Sequence, residues 1–193
     1  YTGEEGTIDG KPVREWLAAW WRAHPVAHVA GLALDFSSQG HPYIEDILKN
    51  QVDRYISGYE VVDEREMAAP HWHLQLQRDS SLTPEGQTLV ADVNNVSDME
   101  NATLLSDVQS QTRDLARVVY KLAKDQGETP VITSGKRTPE KQAEIMITNW
   151  KDNGGPRGGR EYITGLYSRT GEMPYIVDSA LSGETVDSSD RSS

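Results

Sequence analysis

Two short stretches of this 193-residue chain hold three of its five histidines. In HVAGLALDF, residues 28–36, His28 and Asp35 bracket an apolar run. Period-two alternation turns Gly31, Ala33 and Asp35 to one face and Leu32, Leu34 and Phe36 to the other. A carboxylate closing so apolar a segment is costly unless it is paired or bound to a cation. In HWHLQLQ, residues 71–77, Trp72, Leu74 and Leu76 share one strand face and His71, His73, Gln75 and Gln77 the other. The two imidazoles then stand about 6.5–7 Å apart along the backbone, close enough to lean toward one ion. Two imidazoles with one carboxylate form the donor set of a catalytic zinc site, which keeps an open position for water. His24 and His41 have no such company and read as surface or capping residues.

The elements that must position these groups follow from the pattern around them. KPVREWLAAWWRAH reads as a helix, with Pro12 in its first turn and Val13, Leu17, Trp20 and Trp21 on one face. GLALDF is a strand, HPYIEDILKN a short helix, GYEVVDE a strand and HWHLQLQ a strand. Residues 78–101 turn polar and read as a connector. A long helix is predicted over residues 104–126, with Val108, Leu115, Val119 and Leu122 at three-to-four spacing and Gly127 as its stop. TPVITSG is a strand, and RTPEKQAEIMITNWK a helix with Thr138 as cap and Pro139 in first position. DNGGPRGGR reads as a flexible loop, and residues 182–193 as a mobile polar tail. The expected architecture is one α+β domain over residues 1–193, a mostly antiparallel sheet flanked by helices with a zinc cleft on one sheet face. Residues 1–77 form its zinc-ligand half and residues 102–181 the half carrying the second helix–strand–helix run.

His28-x-x-Gly31-x-Ala33-x-Asp35-Phe36 resembles the H-x-x-G-x-A-x-D-F signature of the zinc D-alanyl-D-alanine metallopeptidases, a family of cell-wall carboxypeptidases and phage endolysins. VITSGKRTPEKQ, residues 131–142, is similar to that family's S-G-x-R-[ST]-x-x-x-Q motif, and PHWHLQL to its closing W-H strand. The resemblance implies that His28, Asp35 and His73 hold Zn2+. It implies that Arg137 binds a carboxylate or carbonyl of the substrate, with Ser134 and Gln142 as polar positioning groups nearby. The implied substrate is a peptidoglycan stem peptide and the implied location the cell envelope, periplasmic or secreted.

The chain departs from the family in three ways. The S-G-x-R motif comes last instead of first, so the order reads as a circular permutation. Pro70 stands where the family has a catalytic glutamate, three residues before the last zinc histidine. His71 is the obvious substitute, with Glu64 and Glu66 as alternatives. Val26 replaces a serine two residues before the first zinc histidine, removing one hydrogen-bonding side chain beside it.

A net charge of −11 argues against nucleic acid or an anionic membrane as partner, because both need a basic face. No apolar run approaches the length of a membrane span, and the first residues show no signal-peptide pattern. Without cysteine, thiolate metal sites and disulfides are excluded. GGPRGGR lacks the G-K-[ST] ending of a phosphate loop. Beside the peptidase stands a second reading, a non-catalytic peptidoglycan-binding domain that retains the fold and the metal, which Pro70 and Val26 favour. A metal-dependent hydrolase acting on small amides is a third.

Overall fold

The β-hairpin at the start of the chain is a product of its turn chemistry. Strands β1 (Thr7–Ile8) and β2 (Lys11–Pro12) pair antiparallel across Asp9 and Gly10, both in the left-handed region. The computed structural model describes residues 3–66, 70–93 and 95–189. Helix α1 (Val13–Ala23) follows, burying Val13, Leu17, Ala18 and Trp21, while Pro12 lies just outside it as the cap residue. Next come α2 (Ala27–Ala30), β3 (Ala33–Ser37) and α3 (Tyr43–Asp46), which continues through a π turn, Ile47–Gln51. Strands β4 (Ile56–Glu64) and β5 (His71–Leu82) form the longest pair. They are followed by α4 (Pro84–Asp92), α5 (Ser110–Asp125), β6 (Ile132–Ser134), α6 (Pro139–Asp152), α7 (Gly159–Leu166), α8 (Met173–Leu181) and β7 (Thr185–Val186).

The chain divides into two compact units, one of Tyr1–Pro25 with Thr138–Ser193, the other of Val26–Arg137. The second unit is built on a four-stranded sheet of order β4-β5-β3-β6, every neighbouring pair antiparallel. Its core lies on one side of that sheet. Leu34, Phe36, Trp72, Leu74 and Leu76 meet Leu115, Val118, Val119 and Leu122 of α5, all 8% exposed or less. The first unit gathers α1, α6, α7 and α8 around Leu17, Trp21, Met146, Trp150, Ile163 and Val177 beside the small sheet β2-β1-β7. The architecture is α+β with antiparallel sheet and flanking helices, as the pattern predicts. Among the described residues, no helix is long and apolar enough to cross a membrane.

Several boundaries differ from the sequence expectation, each for a local reason. The helix expected over residues 104–126 starts only at Ser110, because the Gln109 amide is donated to the Gly31 carbonyl (3.0 Å) instead of continuing a helical ladder; residues 102–105 form a separate 3-10 turn. The polar stretch 78–101 is not merely a connector. Strand β5 runs on to Leu82, and Thr83 then caps α4, its hydroxyl accepting from the Gly86 amide with Pro84 in first position. The glycine-rich segment after α6 is ordered into a 3-10 turn, Gly155–Arg157, and α7. Its glycines permit close packing: a Cβ on Gly159 would lie 2.3 Å from the Trp150 carbonyl oxygen. The polar tail is tied down through residue 189, since β7 pairs in parallel with β1 and both the amide and the hydroxyl of Ser188 donate to Asp9. Thr138 and Pro139 cap and open α6 as expected, the Thr138 hydroxyl accepting from the Lys141 amide at 3.1 Å.

Candidate metal centre

The register of the four-stranded sheet assembles the site. Asp35 on β3 lies opposite His73 on β5 and, across its other edge, opposite Ser134 on β6. One step along, Ser37 pairs with His71, and His71 pairs with Glu64 on β4. In the other direction Gln75 pairs with Glu60. Because side chains alternate, Glu60, Glu64, His71, His73, Gln75, Asp35 and Ser134 share one face, and Trp72, Leu74 and Leu76 go to the core behind it. His28 reaches the same face from α2, which ends at Gly31. That residue adopts φ 72°, which favours glycine, and turns the chain directly into β3.

Three ligand atoms converge there. His28 Nε2 and Asp35 Oδ1 are 3.1 Å apart, His28 Nε2 and His73 Nδ1 3.1 Å, and His73 Nδ1 and Asp35 Oδ1 2.8 Å. Ligands about 2.0–2.1 Å from a tetrahedral centre lie about 3.3 Å from one another, so this triangle is close to one face of a tetrahedron. Among the described residues these three form the group able to hold a metal ion. His28 is 5% and Asp35 2% exposed, so water does little to screen their charges.

The hydrogen bonds behind the triangle fix which atoms carry protons. His28 Nδ1 is 2.7 Å from the Gly135 carbonyl, which only accepts, so the proton sits on Nδ1 and the neutral ring aims an Nε2 lone pair inward. Gln75 Nε2 donates to Glu60 Oε2 at 2.7 Å, which turns its amide oxygen toward His73 Nε2, 3.3 Å away. That acceptor places the His73 proton on Nε2 and leaves the Nδ1 lone pair facing Asp35. Three lone pairs thus point at one another, an arrangement that needs a cation or an extra proton among them. Outer hydrogen bonds of this kind orient metal-binding imidazoles. The carbonyl of Gly135 supplies one beside His28, while Val26 makes no side-chain cap bond.

Ionisation follows the same logic. Burial drives the His28 pKa below its ordinary value and outweighs Asp35, which favours the charged ring. Burial also disfavours the charge on Asp35, yet the adjoining His28 and His73 rings, which bond to it when one of them takes up the extra proton, hold the carboxyl well below the usual range. For His73, burial acts downward, but the bond to Asp35 and the charges of Asp35 and Glu64 prevail and raise its pKa.

His71 stands beside the triangle without closing it, with Nε2 at 3.7 Å from Asp35 Oδ1 and 2.7 Å from Glu64 Oε2. Burial works against the Glu64 charge, but the His71 bond and the neighbouring histidine charges keep its pKa low. Glu66, the other acidic alternative, is exposed. Arg137 is held by three contacts: its amide donates to the His28 carbonyl (3.1 Å), Nε to Ser134 Oγ (3.0 Å) and Nη2 to Asp35 Oδ2 (2.8 Å). It occupies the second oxygen of Asp35 and leaves Oδ1 to the triangle.

The structure therefore brings His28, Asp35, His71, His73, Ser134 and Arg137 together within the second unit. Gln142 belongs to the first unit, buried on α6, where Nε2 donates to the Tyr167 hydroxyl at 3.2 Å. Gln75 and Glu60 are the members that sequence reasoning passed over. Gln75 alternates in phase with the histidines, which was a usable signal, whereas the place of Glu60 depends on a strand register that the sequence does not print. No protein-family model, curated protein or solved structure matches the chain.

Proposed function

We propose that the protein is a zinc-dependent peptidase that cleaves peptidoglycan stem peptides, located in the cell envelope or secreted. The observation that carries the metal is the convergence of three lone pairs, each fixed by a hydrogen bond or an ionised carboxylate. The peptide substrate is suggested by the three quoted motifs. Their order along the chain, read as a circular permutation, does not disturb the constellation, since β3 is flanked directly by the W-H strand and the S-G-x-R strand.

Two imidazoles and a carboxylate suit zinc, and a metal held by them supplies Lewis acidity, polarising a carbonyl and lowering the pKa of water. The remaining work falls to the chain. His71 and Glu64 share one proton across 2.7 Å and act as a single acid–base unit. The pair accepts the proton drawn from the attacking water, and the resulting imidazolium faces the negative charge developing on the scissile carbonyl oxygen. Glu64 thereby restores, from the neighbouring strand, the carboxylate that Pro70 removes from β5's own approach. Among the described residues two of Arg137's five N–H groups are engaged. The others hold a carbonyl or carboxylate of the peptide, and Ser134 keeps the guanidinium plane in place.

Pro70 favours one rival, a binding domain that retains the metal without turnover. Incubation of the zinc-loaded protein with muropeptides separates the two. Cleavage that His71→Ala abolishes while zinc stays bound supports the peptidase; stoichiometric zinc with intact muropeptides supports the binding domain.

A further inference from the structure

The first unit contains a cavity of about 520 Å³ that the chemistry above does not use. Its size lies within the range of small-molecule sites. Trp16 and Trp20, one turn apart on α1, line it together with Met173 and Ile176 of α8, Glu172 and Ser188. Both tryptophans are positioned by partners of their own. Trp16 donates its indole N–H to Asp9 Oδ2 at 2.9 Å, and Asp9 also accepts from the Ser188 amide (2.8 Å) and hydroxyl (2.6 Å). Trp20 stacks on His24, with ring centroids 4.5 Å apart and planes inclined by 27°. These contacts fix two large indoles at the rim of a cleft before any ligand arrives, which reduces the ordering cost of binding.

The charge in the cleft has one sign. Among the described lining residues Glu172 is the one charged side chain, it is exposed, and no lysine or arginine is present. Behind Trp16 lies a second carboxylate, that of Asp9. An aromatic wall with a negative quadrupole face and an adjacent carboxylate attracts a cation, most strongly one whose charge is spread over an alkylated ammonium and costs little to desolvate. An anionic ligand would meet repulsion from Glu172, and a neutral one would gain no attraction from it.

We propose that this cavity binds a small organic cation, an alkylated ammonium group seated against Trp16 and Trp20 with Glu172 as its counter-ion. The inference is independent of the metal centre, because every residue it uses belongs to the first unit.

Choline is the probe, titrated into the full-length protein by calorimetry and by tryptophan fluorescence. Its neutral carbon isostere, with tert-butyl in place of trimethylammonium, is titrated in parallel. Choline should bind saturably, with the isostere about tenfold weaker or more, as expected for loss of a cation–π and ion-pair contact. Glu172→Gln, a change at an exposed position, should weaken choline by about two- to fivefold without altering the circular dichroism spectrum. Trp20→Phe should also weaken it, because tryptophan is the best cation–π partner. Absence of saturable choline binding overturns the proposal. So does equal binding of the isostere, indifference to Glu172→Gln, or saturable binding of a neutral N-acetylglucosamine oligomer in choline's place.

Discussion

Gln75→Leu is the perturbation that most sharply separates a built metal site from a chance meeting of polar side chains. Gln75 touches no other member of the triangle; it acts through His73, whose Nε2 lies 3.3 Å from the amide oxygen. The amide itself is oriented by its bond to Glu60 at 2.7 Å. Leucine keeps the bulk of the side chain and removes the acceptor, so His73 loses the contact that holds its proton on Nε2. Deleting outer hydrogen bonds of this kind costs about 10- to 100-fold in metal affinity. A bond of 3.3 Å is at the long end, and a neutral hydrogen bond contributes about 0.5–1.5 kcal/mol net, so the low end applies: about tenfold, or ~1.4 kcal/mol. Competition against a chromophoric zinc chelator measures it. Gln77→Leu, at the next outward position on the same strand and exposed, serves as control and should bind zinc like the wild type. After chelation both variants should melt close to the wild-type temperature, which separates a tuning effect from damage to the fold. A Gln75→Leu affinity equal to that of the wild type would refute the argument that Gln75 sets the His73 tautomer.

Two further expectations rest on the same geometry. Metal binding needs the His73 lone pair, and the His73 pKa is raised above its ordinary 6.5, whereas His28 is kept neutral and Asp35 ionised. Zinc should therefore expel one proton, from His73, when it binds below that raised pKa. Affinity should fall by about tenfold per pH unit as pH drops through and below that value, and level off above it. Calorimetry at pH 6 in buffers of different ionisation enthalpy counts the protons; none or two would contradict the assignment. Arg137→Lys keeps a positive charge near Asp35 but cannot span Asp35 and Ser134 as the planar guanidinium does. Zinc should stay bound while kcat/KM falls by about tenfold or more. Wild-type kcat/KM in that variant would remove Arg137 from substrate binding.

Much of the site was legible because it is written in strand periodicity. A period of two places His71, His73 and Gln75 on one side of β5 and Trp72, Leu74 and Leu76 on the other, and the burial follows that division. Asp35 was equally readable as a buried carboxylate in need of a partner or a cation, whereas Gly31, expected on the strand face beside it, instead ends α2 at φ 72° and the strand begins at Ala33. What the sequence concealed was pairing. That Glu64 faces His71 and Glu60 faces Gln75 follows from the β4–β5 register, which runs unbroken from Glu64–His71 to Tyr59–Leu76 but whose starting pair is written in neither strand's own sequence. The late start of α5 was hidden for a related reason, since residues 104–109 keep helical spacing but Gln109 gives its amide to a carbonyl 78 positions earlier. Residues 78–82 look polar because they extend an outward-facing part of β5, and polarity alone does not distinguish an exposed strand from a connector.

The central claim, that His28, Asp35 and His73 bind a metal with which the protein hydrolyses peptides, is tested most directly by one paired measurement. Zinc content is determined for the wild type and for His73→Ala, and the same two samples are incubated with muropeptides. The account predicts about one zinc per chain in the wild type, its loss in the variant, and muropeptide cleavage by the wild type alone. A wild-type protein that takes up no zinc when the metal is supplied in excess, or a His73→Ala variant that keeps both zinc and cleavage, would contradict it.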